Sequence, residues 1–308
     1  MKMKVKIVML ILMTVILLTA VSCGNSDSSQ TFDLTQDREG NSIILPEKID
    51  KIISIGPSNT ELLVALGFTD KIIAADAWSG NIPGITADIA MLPSMEEIDN
   101  EFIIELQPDI IVVTGMSKAG GNNPLQVVED TGICIIIIPS SSSINGIKED
   151  IRYMAALMNV ASKGEDIIKA FEQEIEDIKK IGETITEKKT VYFEISAAPW
   201  MYSFGKDTFL NEMIMLIGAN NIFANQEISW MSVADEQILE ANPDVILTSV
   251  NYLDDPIGEI KSRSGWSVIT AIQNDEIYYI DTDSSNRPNH NIVTALKQMA
   301  KAIYPDKY

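Results

Sequence analysis

Short aliphatic runs recur through the first half of the chain at residues 51–55, 71–75, 109–114 and 133–138, and helix-periodic stretches such as 60–66 and 101–106 lie between them. Uninterrupted apolar runs of this length, alternating with helices, predict strands of a parallel sheet buried on both faces. The second half repeats the grammar: residues 190–195, 244–249 and 276–280 read as strands, and 209–217, 236–240 and 291–303 as helices. The pattern predicts an α/β fold of two lobes, each built on a central parallel sheet.

Between the halves lies one long amphipathic segment, 162–184. Ile168, Phe171, Ile175, Ile178 and Ile181 follow one another at three- or four-residue steps, and charged residues fill the other faces, as a surface helix requires. Ser162 is the expected N-cap, with Glu165 closing a capping box. Such a helix spans about 34 Å, enough to run the height of a lobe; a crossover helix within one larger domain is the alternative on pattern alone. The expected organisation is a leader at 1–22, a tether and lead-in at 23–44, an N-terminal lobe at 45–144, a helical connector at 145–189 and a C-terminal lobe at 190–308.

The leader changes the picture most. Lys2, Lys4 and Lys6 precede an apolar stretch from Ile7 to Leu18, then Thr19, Ala20, Val21, Ser22 and Cys23. The stretch is short for a membrane span of about 20 residues and reads as a signal peptide. It resembles a bacterial lipoprotein signal, with Ala20 where leucine is commonest. That resemblance implies a lipid on Cys23, which becomes the mature N-terminus and anchors the chain outside the cytoplasm; a plain secretory signal with an incidental Cys23 is the alternative. Gly24 to Gln30 then form a flexible tether. Cys134, between Ile133 and Ile135, is the remaining cysteine and is expected to be buried and inert.

Composition narrows function by exclusion. Across 308 residues, 44 acidic side chains oppose 23 basic ones, for a formal charge of −21, which argues against nucleic-acid binding through phosphate neutralisation. The single histidine, His290, makes a multi-histidine zinc receptor improbable on ligand count. Ser140 to Ser143 have no Gly-x-Ser-x-Gly setting, and there is no phosphate-binding loop. A secreted hydrolase is therefore a distant alternative, and no catalytic residue is assigned.

Ordered motifs then point to a family. Ile52-Ile53-Ser54-Ile55-Gly56-Pro57-Ser58-Asn59-Thr60-Glu61 opens the first lobe; Glu101 begins a helix that leads into Pro108-Asp109 and an apolar strand, and Glu236 does the same before Pro243-Asp244. Gly265-Trp266, Tyr278-Tyr279-Ile280-Asp281 and Arg287-Pro288 close the second lobe. Over about 45–304 this resembles the substrate-binding proteins of iron-siderophore and vitamin B12 importers, the helical-backbone (class III) periplasmic-binding proteins. The resemblance implies two Rossmann-like lobes joined by one long helix, with a ligand between them, no cofactor and no resident metal. It implies as partners the membrane subunits and ATPase of an ABC importer. The implied ligand is a bulky metal chelate, a corrinoid or a ferric siderophore, with haem as the alternative. Glu101 and Glu236 would dock on arginines of the membrane subunits.

Ligands of open α/β sheets sit beyond the carboxyl ends of the strands. The candidates by position are Ser58, Asn59, Trp78, Met116 and Lys118 in the first lobe, and Trp200, Tyr202, Trp230, Asn251 and Arg287 in the second. Trp230 matches a pocket tryptophan of the family's B12-binding member, whereas Trp266 is expected in the core. Arg287, with Lys118 or Lys206, could face an anionic chelate or bond to carbonyls of its own loop. His290 is expected at a helix start in solvent, with haem ligation as the weaker alternative.

Overall fold

A computed structural model describes residues 32–93, 98–115 and 123–308. In the first lobe the aliphatic runs become strands β1 (Ile52–Ser54), β2 (Ile72–Asp76), β3 (Ala90–Leu92), β4 (Ile110–Thr114) and β5 (Cys134–Ile138). They pair in the order β3-β2-β1-β4-β5, with every pairing parallel. Ile53, Ile111, Val113 and Ile137 bury one face against Ile103 and Val128, which lie on helices α2 (Asn100–Leu106) and α3 (Gln126–Glu129); α1 (Pro57–Ala65) follows β1. The second lobe holds a parallel sheet in the order β11-β10-β6-β8, from β6 (Thr190–Glu194), β8 (Asn220–Asn221), β10 (Val245–Thr248) and β11 (Ile277–Tyr279). A separate antiparallel pair joins β7 (Tyr202–Phe204) to β9 (Trp230–Ser232). Tyr192, Ile238, Ile246 and Trp266 centre the second core, so Trp266 packs inside as its sequence setting predicts.

The Pro-Asp motifs do the same structural job in both lobes. Asp109 Oδ2 accepts the backbone N–H of Asp50 and of Lys51 at 2.7 and 2.8 Å, pinning the start of β1. Asp244 Oδ2 accepts the Thr190 N–H and hydroxyl, both at 2.8 Å, pinning the start of β6. The preceding helices, α2 and α7 (Asp235–Ala241), each end on a left-handed residue, Gln107 or Asn242. Such a C-cap redirects the chain from helix into strand.

The connector is a helical hairpin: α4 (Ile144–Leu157) turns through Asn159, at φ 57°, into α5 (Ala161–Gly182). Ser162 is not the N-cap. Val160 holds that position without a side-chain cap, because its carbonyl already accepts from Lys163 and Gly164, and Ser162 falls inside the first turn. Ile168, Phe171 and Ile178 are buried along one face. Two glycines set its ends. A Cβ on Gly164 would stand 2.5 Å from that of Ala155 on α4, and one on Gly182 would collide with the Leu216 carbonyl at the end of α6 (Phe209–Leu216). The helix therefore packs on α4 at one end and on the second lobe at the other.

Residues 36–42 cover the exposed edge of β5: Arg38 donates its N–H to the Ile137 carbonyl, and Ile137 donates its own to Asp37 Oδ2, both at 3.2 Å. Paired edges do not recruit other chains. Cys134, expected buried, is half-buried, and desolvation pushes its thiol pKa up. All of this belongs to one compact unit, Leu34–Tyr308. The remaining helices are α8 (Pro256–Ser262), α9 (Thr270–Gln273), α10 (Thr282–Asn286) and α11 (Ile292–Ile303).

Candidate functional site

Parallel strands deliver their following segments to one edge of a sheet, and the candidate residues that the structure describes lie on such segments in both lobes. In the first lobe the chain leaves β1 through Gly56, at φ 111°. A side chain there would run into Thr114, so the position demands glycine. Pro57 then starts α1, pre-set for a first helical position. The buried carboxylate of Asp76 ties this loop to the next: Oδ2 accepts from the Gly56 N–H and the Ser79 hydroxyl, and Oδ1 from the Trp78 N–H, at 2.7–2.9 Å. Trp78 is thereby held on a short turn with its side chain 73% exposed. Ser58 is half-buried; Asn59 is buried, and its Nδ2 has no partner.

In the second lobe, Trp200 follows the turn through the cis bond Ala198–Pro199 and is 82% exposed. The Ala197 N–H donates to the Tyr252 hydroxyl at 2.8 Å, which holds this turn beside Asn251 and Tyr252 after β10. Tyr202 and Trp230 project from the same face of the β7–β9 pair, because Tyr202 opposes Ser232 and Phe204 opposes Trp230. Trp230 stands edge-on to Phe204 and Phe209, with ring centroids 6.2 and 6.5 Å away. One part of the indole packs and 38% remains exposed.

Beside Met201 lies a charge cluster that has no counterpart in the sequence-based expectations. Arg263 reaches Glu194, the last residue of β6, with two bonds of 2.6 and 2.9 Å; it also bonds Glu259 and contacts the Met201 sulfur. The guanidinium lies over the Trp266 ring at 4.5 Å, and the indole N–H donates to Asp235. Burial raises the pKa of Glu194 even against the opposing effect of Arg263. The available signal was a carboxylate closing an otherwise apolar strand.

The two lobes meet through Arg287. Its guanidinium pairs with Glu61 at 2.6 Å and Asp283 at 2.7 Å, and also donates to the Trp78 carbonyl and Asn81. Glu61 accepts further bonds from Asn289 and Asn291 at 2.6 and 2.7 Å, and Asn81 donates to Asp283. Arg287, expected as a cation for an anionic chelate, is thus neutralised between the lobes; it meets a backbone carbonyl, but one of the opposite lobe. Lys206 is paired with Glu227 at 2.5 Å. His290, expected in solvent, is half-buried instead: its Nδ1 is enclosed without a partner, and desolvation lowers its pKa. Met116, Lys118 and Cys23, with the leader, lie outside the described residues.

Glu101 and Glu236 are both exposed, in the first turns of α2 and α7. They occupy equivalent places, since each helix leads through a Pro-Asp step into a parallel strand.

Two α/β lobes joined through the α4–α5 hairpin, with loops at the strand ends of both, define a solute-binding protein. The profile of a family described as periplasmic binding protein matches residues 52–284, and the chain belongs to that family. It is 28% identical to an uncharacterized ABC transporter substrate-binding lipoprotein of Bacillus subtilis, YvrC, over 95% of this chain and 96% of that one. It is 25% identical to the vitamin B12-binding protein of Vibrio parahaemolyticus, over 83% of this chain and 90% of the relative. Among solved structures, a possible iron-binding (periplasmic solute-binding) protein of Staphylococcus epidermidis superposes with a TM-score of 0.74 at 27% identity, covering 84% of this chain and 100% of that one.

Proposed function

We propose that the chain is an extracytoplasmic solute-binding lipoprotein that captures a bulky metal chelate, a corrinoid or a ferric siderophore, and hands it to an ABC importer. The observation that carries this reading is the set of exposed aromatic side chains, Trp78 and Trp200 on turns and Tyr202 and Trp230 on the β7–β9 pair, in the segments that follow strands of both sheets. A tryptophan buries about 150–250 Å² on a ligand, and at about 25 cal/mol/Å² two or three such walls approach the −12 kcal/mol of nanomolar affinity before losses. Ser58, Asn59 and Asn251 supply polar contacts around them, and Met116 and Lys118, which lie outside the described residues, remain candidates for the first lobe. Catalysis has no part in this reading.

Delivery needs a docking surface and a tether. Glu101 and Glu236, one per lobe and similarly placed, engage cations on the importer's membrane subunits, whose ATPase drives release. The lipid on Cys23 holds the receptor at the membrane. Growth tests this reading: deleting the protein should abolish import of the chelate at limiting external concentration. Import unchanged in the deletion strain refutes it.

A further inference from the structure

We propose that Arg263 is a positioning residue for the second-lobe aromatics. It fixes Met201, and with it Trp200 and Tyr202, against the helix that carries Glu236; the inference rests on the chelate-receptor reading above. An arginine side chain has five N–H donors, and here each has an acceptor. Nε donates to Glu259 at 3.0 Å, and Nη2 to Glu194 at 2.9 Å and to Glu259. Nη1 donates to Glu194 at 2.6 Å and to the Met201 sulfur at 3.3 Å. The side chains of Arg263 and Glu194 are only 7% and 1% exposed. Apolar residues of similar volume often fill such a space at equal or better stability, so what the cluster adds is geometry.

Two connections give that geometry its direction. Met201 is buried, while Trp200 and Tyr202 on either side of it in sequence are exposed. Its carbonyl accepts the Val233 N–H at 3.0 Å, at the point where β9 gives way to α7. On the other side, the guanidinium lies over the Trp266 ring at 4.5 Å, in a turn where the Arg263 carbonyl accepts the Trp266 backbone N–H at 3.2 Å. The Trp266 indole N–H donates to Asp235, in the first turn of α7 beside Glu236. Arg263 thus joins the root of the aromatic segment to the start of the docking helix. An aromatic wall held in place before the ligand arrives has less freedom to lose on binding. Lysine, a point charge on a flexible stem, reproduces neither the planar fork nor the stacking.

The test compares the purified wild type with Arg263→Lys, first without ligand, by amide hydrogen exchange. The bonds from the Ile195 N–H to the Tyr202 carbonyl, from Tyr202 to Ser196 and from Val233 to Met201 report on the segment. Exchange over 195–202 and 230–233 should speed at least about 10-fold, while β10, β11 and the first lobe keep wild-type rates. Calorimetric titration with cyanocobalamin, ferrioxamine B and haemin should then show the affinity of each probe that binds falling about 10-fold. Wild-type exchange over the segment overturns the proposal, and so does acceleration spread evenly through the second lobe, which a merely stabilising arginine would give. Unchanged affinity beside altered local exchange overturns it too. If Arg263→Lys does not fold, Met201→Leu keeps the charges and the volume, and wild-type exchange in that variant overturns the proposal. A wild type that binds no member of a wider chelate panel overturns the receptor reading, while the exchange comparison still decides whether Arg263 braces the segment.

Discussion

Replacing Glu61 by glutamine removes the centre of the bridge between the lobes. In the wild type, Arg287 Nη1, Asn289 Nδ2 and Asn291 Nδ2 all donate to Glu61 at 2.6–2.7 Å. The side chains of Glu61 and Arg287 are only 11% and 10% exposed. Breaking a buried ion pair by removing one partner costs about 3–5 kcal/mol. Asp283 remains beside Arg287, which holds the loss near the lower end. Glutamine keeps one acceptor for the guanidinium but presents its own NH2 to two asparagine donors, and those bonds cannot both survive. The expected loss is about 3 kcal/mol, a fall in Tm of about 5 °C for a chain of this size. Urea unfolding monitored by circular dichroism measures it, read as a lower midpoint at constant m. Asp283→Asn is the control: that carboxylate is 38% exposed, and its loss should cost about 1 kcal/mol or less. A Glu61→Gln protein within about 0.5 kcal/mol of wild type would refute the claim that this network holds the lobes together.

Three other outcomes follow from the same geometry. Burial pushes the Asp150 carboxyl up to about 6 despite its bonds to Ser141 and Arg38; folded protein therefore holds the proton that unfolded chain has lost between pH ~4 and ~6, this group's contribution to stability falls by up to about 3 kcal/mol as pH rises through that window, and above it the contribution is flat. Asp150→Asn should flatten the profile, and an unfolding series across that pH range with the same slope in both proteins contradicts the assignment. Trp230→Ala should weaken chelate binding roughly 30-fold, as loss of an aromatic anchor does; unchanged affinity by calorimetry removes Trp230 from the site. Replacing Glu101 and Glu236 together by alanine should depress cellular uptake while leaving the affinity of the purified protein intact, and normal uptake by the double variant would exclude them from docking.

The seven principal strands were legible because parallel strands covered on both sides are written as unbroken aliphatic runs. Residues 109–114 and 133–138, for instance, became β4 and β5 with trims of one residue. Strands β7 and β9 were not, since a three-residue, half-exposed antiparallel pair carrying Tyr202 and Trp230 has no apolar run to announce it. Helix α4 lies inside the connector, and its local mark is Ser143, which caps it by accepting the Gly146 N–H at 3.0 Å. The position of the site was legible from the rule of strand ends. Its electrostatics were not: Arg287 and Glu61 stand 226 positions apart, and no local pattern reveals that one neutralises the other. The setting of His290 has a related cause, as its neighbours Asn289 and Asn291 are polar because they bond Glu61 across the lobe junction and each other locally, not because they face water.

The central claim is that the aromatic loops of the two lobes close on one bulky chelate, and intrinsic tryptophan fluorescence reads it directly. Trp78, Trp200 and Trp230 are exposed, whereas Trp266 is fully buried, so ligand capture should be dominated by the three exposed indoles. Titration of the purified protein with cyanocobalamin, haemin and a panel of ferric siderophores should give saturable quenching with one-to-one stoichiometry for at least one of them, much reduced in Trp230→Ala. Fluorescence unchanged by every chelate, after correction for absorbed light, would contradict the account.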